Sequence, residues 1–206
     1  MRAGGPDVKT RILTAAKKLF ARQGYEATTV RQICEAAGAN IALISYHFGG
    51  KENVFAALFD TLFPNRQIQE AIAQPIGDPA EAIRKIVAGI VAFQLSEPEM
   101  IAIMQQETMI DSPRRDLIRR HTFPFWRHLL ETIEEGRKRG IFHVGSKDHV
   151  LLSIIGAVLF HNKLDYFGPL LGIAEPNAYN GRLEEELAAF VLRGLGCAGE
   201  QPRGNE

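Results

Sequence analysis

Cysteine is scarce: Cys34 and Cys197 are the only two in 206 residues. Two thiols cannot build a disulfide framework or a four-thiolate zinc site, which fits a reducing compartment. Long apolar runs are missing as well. The longest, Val150 to Phe160, is broken by Ser153 and falls short of the ~20 residues that span a bilayer. The first 25 residues contain no unbroken apolar stretch of signal-peptide type. The expectation is a cytoplasmic protein without a membrane partner. Strand signals are confined to a few ambiguous residues near Phe142–Val144. No His-Glu-x-x-His, paired-cysteine or phosphate-loop spacing occurs, and no nucleophile–base pair is evident. His121 and His128 lie seven apart, two helical turns from one another, too far to share a metal without a fold-back. These gaps leave enzymatic activity, a metal and a cofactor without candidate residues.

Neither sign of charge dominates the chain, with 24 basic and 24 acidic side chains. With 46% hydrophobic and 23% charged residues, the composition is that of a globular protein, not a disordered chain or a fibre. The neutral total hides an asymmetry. Residues 1–55 hold eight basic groups and four acidic ones, so the remainder carries the opposite imbalance. A basic start on an acidic remainder suggests a nucleic-acid-facing module joined to something else.

What the chain has in abundance is helical periodicity. Ile12, Leu13, Ala16, Leu19 and Phe20 form one stripe of a helix from Asp7 to Gln23, closed by Gly24. Thr29-x-x-Gln32 has the capping-box form and opens a second helix, with Val30, Ile33, Cys34 and Ala37 on its buried side. That helix stops after about two turns at Gly38. Asn40 caps a third, Ile41 to Phe48. Two short helices joined by a tight glycine-containing turn form a helix-turn-helix. Gly49-Gly50 then separates this unit from a helix over Lys51–Phe63.

Further helices are expected over 78–96, from Glu97 or Pro98 to Ile110, and from Ser112-Pro113 to about Arg139. Pro124 should kink or split the last of these. Another runs from Ser146 to about Asp165, apolar nearly all round, and a final one covers Arg182 to Leu195. Residues 1–6 and 198–206 read as frayed tails. The fold class is therefore all-α, with a three-helix head over residues 1–50 and a helical domain over residues 51–206.

In a helix-turn-helix the second helix enters the major groove and its N-terminal residues meet base edges. Ile44 and Phe48, four apart, should point into the head's core. That leaves Asn40, Ile41, Ala42, Ser45, Tyr46 and His47 outward or at the rim. Lys51, Thr29 and Arg31 stand at helix starts, where phosphates are favoured. Exposed Ile41 is suited to touch a thymine methyl.

The combination is specific. Ile12-Leu13-x-x-Ala16, Leu19-Phe20, Gly24-Tyr25, Thr28-Thr29, Ile33, Ala37-Gly38 and Tyr46-His47-Phe48-Gly49-Gly50-Lys51-Glu52-Asn53 stand at one characteristic set of spacings. Through these motifs, residues 8–60 resemble the N-terminal domain of the TetR family of bacterial transcriptional regulators. The resemblance implies a homodimer on a palindromic double-stranded DNA operator, and a helical C-terminal domain that binds a small-molecule inducer. By matching position it implies DNA contacts from Thr29, Asn40, Ile41, Ala42, Ser45, Tyr46, His47 and Lys51. The sequence departs from the family at Ile41, where a Lys, Arg or small polar residue is common, and at Ser45, where a Tyr often stands.

Two roles then fall to the C-terminal region. The apolar helix from Ser146 and the final helix are the dimer candidates, through Leu152, Ile155, Leu159, Leu187, Phe190 and Val191. Phe93, Met104, Phe123, Phe125, Trp126, His128, Phe160 and His161 are candidates for a largely apolar ligand pocket, beside a kink at Pro124. The alternative is an all-helical adaptor that binds a protein partner and no DNA.

Overall fold

The computed structural model describes residues 7–161, 164–172 and 182–197. The expected frayed tails lie outside these residues. Among those described, the chain forms eleven α-helices and no strand: α1 (Val8–Ala27), α2 (Val30–Ala37), α3 (Ile41–Phe48), α4 (Lys51–Leu62), α5 (Asn65–Ile72), α6 (Pro79–Ser96), α7 (Pro98–Met109), α8 (Arg115–Lys138), α9 (Lys147–Phe160), α10 (Leu164–Leu171) and α11 (Leu183–Gly194). Among the described residues, no single helix is long and apolar enough to cross a membrane.

Contacts divide the chain into two compact units. The first takes residues up to Ile68 and then Glu97–Phe123. In it α1 packs on α2, α3, α4 and α7. Ile12, Ala16 and Phe20 of α1 are buried, as are Ile33, Ile44, Val54, Phe55, Leu58 and Phe59 of the helices that follow. Phe20, Tyr25, Phe55 and Phe59 form a chain of ring contacts, with centroids 5.3–5.6 Å apart. Lys17 binds Glu97 at 2.7 Å, and Gln106 Nε2 donates to the Ala21 carbonyl at 2.7 Å, so α7 is held along α1 by polar contacts as well.

The second unit takes Gln69–Ser96 and the chain from Pro124 onward. Here α6 packs on α9 and α11, which also touch each other. Ile83, Val87, Val91, Leu129, Ile133, Val158, Leu187, Val191 and Leu192 share one buried cluster. Buried Gln94 donates through Nε2 to the Val158 carbonyl at 3.1 Å.

Four local details refine the sequence reading. Of the two outcomes expected at Pro124, kink or split, the split does not occur: one helix runs from Arg115 to Lys138. Proline removes a single i→i−4 donor there, and the flanking turns hold the helix together. Its start also lies later than Pro113. The Ser112 hydroxyl accepts the Arg114 N–H at 3.1 Å, and the Ser112 carbonyl accepts the Arg115 N–H at 3.1 Å, which makes residues 112–115 a turn. α5 was not anticipated, because Pro64 and the prolines after it obscure a helix of only eight residues. Phe142–Val144, ambiguous in sequence, is a loop, tied down by His143 N–H to the Leu195 carbonyl at 2.8 Å.

Candidate nucleic-acid interface

The geometry of the head follows from a few local devices. The Thr29 hydroxyl accepts the Gln32 N–H at 3.2 Å, while Gln32 Oε1 accepts the Thr29 N–H at 2.8 Å, completing the capping box of α2. Gly38 ends α2 in the left-handed region, φ +59°. Two residues later, Asn40 Oδ1 accepts the Leu43 N–H at 2.9 Å and opens α3. Gly49, at φ +78°, closes α3 by donating to the Ile44 and Ser45 carbonyls. Asn53 Nδ2 donates to the Phe48 carbonyl at 2.7 Å, which binds the end of α3 to α4.

Thus propped, α3 presents two different sides. Ile44 and Phe48 are buried, at 1% and 8% exposure. Ile41, Ala42, Ser45, Tyr46 and His47 are exposed, with Ile41 at 57% and Tyr46 at 83%. The Tyr46 and His47 rings meet edge-on at 5.0 Å. Thr29, Arg31 and Asn40 are exposed too, and Arg31 pairs with Glu35 at 3.0 Å along α2. Lys9 and Arg11 add exposed cations on α1. The Lys9 ammonium lies 5.8 Å from the Phe48 ring, and the Arg11 guanidinium donates to the Gly38 carbonyl at 3.4 Å.

Lys51 has a more internal position than its place at a helix start suggested. Its ammonium donates to the Tyr25 and Thr28 carbonyls at 3.0 and 2.9 Å and sits 4.0 Å from the Tyr25 ring. The residue is therefore a strut under the α1–α2 turn.

Sequence reasoning missed a buried ionic cluster behind this head. Glu107 and Arg114 have side chains only 4% and 9% exposed. Arg114 Nε donates to Glu107 Oε2 at 3.0 Å, and another guanidinium nitrogen reaches Glu26 Oε1 at 2.8 Å. The Ser112 hydroxyl also donates to Glu107 Oε2. The guanidinium lies 3.8 Å from the Tyr25 ring. Burial raises the Tyr25 hydroxyl above its ordinary range, an effect the Arg114 charge opposes. The partners stand up to 88 residues apart, so no local pattern signals them.

Two other groups are shifted by surroundings that are easy to name. Asp7 caps α1, and the Thr10 N–H, 2.7 Å from its Oδ1, holds its carboxyl below the usual range. Burial pushes the Cys34 thiol up, away from reactivity.

Comparison with known proteins decides the family. Residues 12–58 match the sequence model of the bacterial regulatory proteins of the tetR family, and residues 79–169 match that of the tetracyclin repressor-like C-terminal domain. The chain belongs to the TetR family. It is 27% identical over 156 residues to the HTH-type transcriptional repressor NicS of Pseudomonas putida, covering 73% of this chain and 74% of that protein. Over 47 residues, 23% of this chain and 25% of that one, it is 51% identical to the HTH-type transcriptional repressor AcnR of Corynebacterium glutamicum. The crystal structure of HlyIIR, a hemolysin II transcriptional regulator, superposes with a TM-score of 0.74 at 26% identity, covering 91% of this chain and 96% of that one. This TetR-family chain is accordingly a transcriptional regulator, and its family and relatives are regulators, not enzymes.

The residues expected to serve ligand and partner are distributed unevenly in this TetR-family protein. Met104 and Phe123 belong to the first unit; Phe93, Phe125, Trp126, His128, Phe160 and His161 belong to the second. Phe125 and Trp126 form a ring pair at 5.0 Å, partly buried against the second unit's core. His128 is buried, and its carbonyl accepts the Thr132 hydroxyl at 2.8 Å. Phe123 and Phe160 are exposed. A shallow cleft of about 400 Å³ lies elsewhere, between Glu134, Arg137, Lys138, Phe142, His143 and Val144. Of the dimer set, Leu187 and Val191 are spent inside their own unit's core. Leu152 and Phe190 are exposed, at 66% and 57%, and Ile155 and Leu159 are half-buried.

Proposed function

We propose that this TetR-family regulator is a repressor that binds a palindromic operator as a homodimer and is released by a small, largely apolar inducer. Residues 1–50 act as the DNA-reading head and residues 51–206 as the ligand-binding and dimerisation domain, in the cytoplasm. The observation that carries the reading is the outward side of α3. It joins Ile41, Ala42, Ser45, Tyr46 and His47 on one exposed face, while Ile44 and Phe48 anchor the other. Thr29 and Arg31 stand at the start of α2 and Asn40 at the start of α3, where backbone donors favour phosphate. Lys51 contributes by holding the turn between α1 and α2.

Two heads are needed because one touches few phosphates; a two-fold pair reads successive major-groove faces about 34–36 Å apart. The exposed apolar side chains Leu152 and Phe190, with Ile155 and Leu159 beside them, supply the self-complementary surface. Within the second unit, the ring-bearing residues Phe93, Phe125, Trp126 and Phe160, with His128 and His161 as polar fixtures, supply the inducer site. Inducer favours a conformation whose heads no longer match the operator spacing.

Selection of bound duplexes from random DNA tests the reading. A palindrome whose half-sites are one helical turn apart is expected, with affinity falling steeply with salt as counterions are released. Retention that ignores both salt and sequence would favour a protein-binding adaptor. Phe190→Asp or Leu152→Asp should yield monomers by light scattering; a dimer in both variants moves the interface elsewhere.

A further inference from the structure

The bases are the part of the operator that the head's chemistry constrains most. Side chains that read a base through two hydrogen bonds are few: Arg or Lys on guanine, Asn or Gln on adenine. The span Ile41–Phe48 contains none of them. Asn40 stands next to it, but its carboxamide oxygen is taken by the Leu43 N–H at 2.9 Å. That bond takes one of the oxygen's two lone pairs and holds the carboxamide against the backbone at the start of α3. Arg31 lies on α2 and is engaged by Glu35.

What remains on the first turn of α3 is apolar. Ile41 is 57% exposed, a large share for a β-branched aliphatic side chain. The Ala42 methyl is exposed beside it, and Ser45 follows one turn later. The major-groove edge that an aliphatic group complements is the C5 methyl of thymine.

We infer that this regulator identifies its operator chiefly through thymine methyl groups packed against Ile41 and Ala42, with phosphate contacts supplying most of the affinity. The inference rests on the proposal that α3 is the DNA-reading helix. It sets the pyrimidine's methyl, not its hydrogen-bonding edge, as the discriminating feature in each half-site. 5-Methylcytosine carries the same methyl at the same place and can replace thymine in that contact.

The test uses the full-length protein and the duplex selected from random DNA. Each thymine of a half-site is replaced in turn by deoxyuridine, which deletes the methyl and keeps every hydrogen bond. At one or two positions affinity should fall about fourfold, and about fifteenfold when both half-sites are changed, as expected for methyl groups removed from apolar contact. Ile41→Ala should bind the thymine operator about as weakly as the native protein binds the matched uracil one, and should show a smaller thymine–uracil difference. Circular dichroism of Ile41→Ala should match the native protein, since the side chain is exposed. Equal affinity for thymine and uracil at every position overturns the inference, as does a half-site without a fixed thymine. Either result leaves DNA binding intact, whereas failure to enrich any sequence in a salt-dependent manner removes the reading beneath it.

Discussion

Arg114→Ala isolates the buried cluster behind the head. Truncation leaves the Glu107 carboxylate, 4% exposed, with only the Ser112 hydroxyl as a partner. A buried charge stripped of its counter-ion costs about 3–5 kcal/mol, because the desolvation already incurred is no longer offset. Loss of the Glu26 contact adds little: that carboxylate is 76% exposed, and such pairs are worth roughly 0–1 kcal/mol. The lost stacking on Tyr25 is comparable, about 0.5–2 kcal/mol. In a chain of this size, 1 kcal/mol moves the melting temperature by roughly 2–4 °C, so the stripped charge alone should make Arg114→Ala lower it by roughly 6–20 °C. Glu26→Ala should lower it by no more than roughly 4 °C. The double change Glu107→Leu with Arg114→Met, which removes both charges and keeps the volume, should be milder than Arg114→Ala alone. Thermal unfolding followed by circular dichroism reads all three. A loss in Arg114→Ala no greater than in Glu26→Ala would refute the reasoning, because the cluster would then act as a surface ion pair.

Other perturbations follow from single contacts. A Cβ added at Gly136 in α8 would lie 2.0 Å from the Phe142 ring, itself buried in the second unit's core. Gly136→Ala should therefore destabilise by about 1–3 kcal/mol despite the ~1 kcal/mol that alanine offers a helix, and a urea midpoint above the native one would contradict this. His121 packs on Phe59 and Phe63, 5.5 and 5.8 Å away, with Nδ1 2.8 Å from Asn65 Oδ1. Burial lowers its affinity for a proton below the ordinary value of 6.5, against the pull of Asp60. The unfolded chain takes up that proton first, so the contribution is complete above pH 6.5 and is lost as pH falls through it towards the folded value. Native protein should lose stability between pH 7 and pH 5 more steeply than His121→Gln; parallel curves would contradict the assignment.

The head was legible because its signals are local. Thr29 with Gln32, Gly38, Asn40 and Gly49 fix the ends of two short helices within a few residues of themselves. Once those ends are fixed, the 3.6-residue period decides that Ile44 turns in and Tyr46 turns out. The rest depends on partners far along the chain. Nothing near Arg114 announces Glu26, 88 residues away. The apolar stripe of α11 shows that Leu187, Phe190 and Val191 are hydrophobic, but only packing against α6 and α9 separates the buried pair from exposed Phe190. Lys51 illustrates the same limit, since a helix start suits a phosphate contact and an internal strut equally well until the Tyr25 and Thr28 carbonyls are located.

The central claim, that the outward side of α3 is the DNA-reading surface, is met most directly by titrating a selected operator with native protein and with Tyr46→Ala under one salt condition. Tyr46 is 83% exposed and its ring meets that of neighbouring His47, so its removal should leave the melting temperature unchanged. Affinity should fall about tenfold or more, the loss of one hydrogen bond to a charged phosphate worth about 1.5–3 kcal/mol. Undiminished affinity in a fully folded Tyr46→Ala protein would contradict the account.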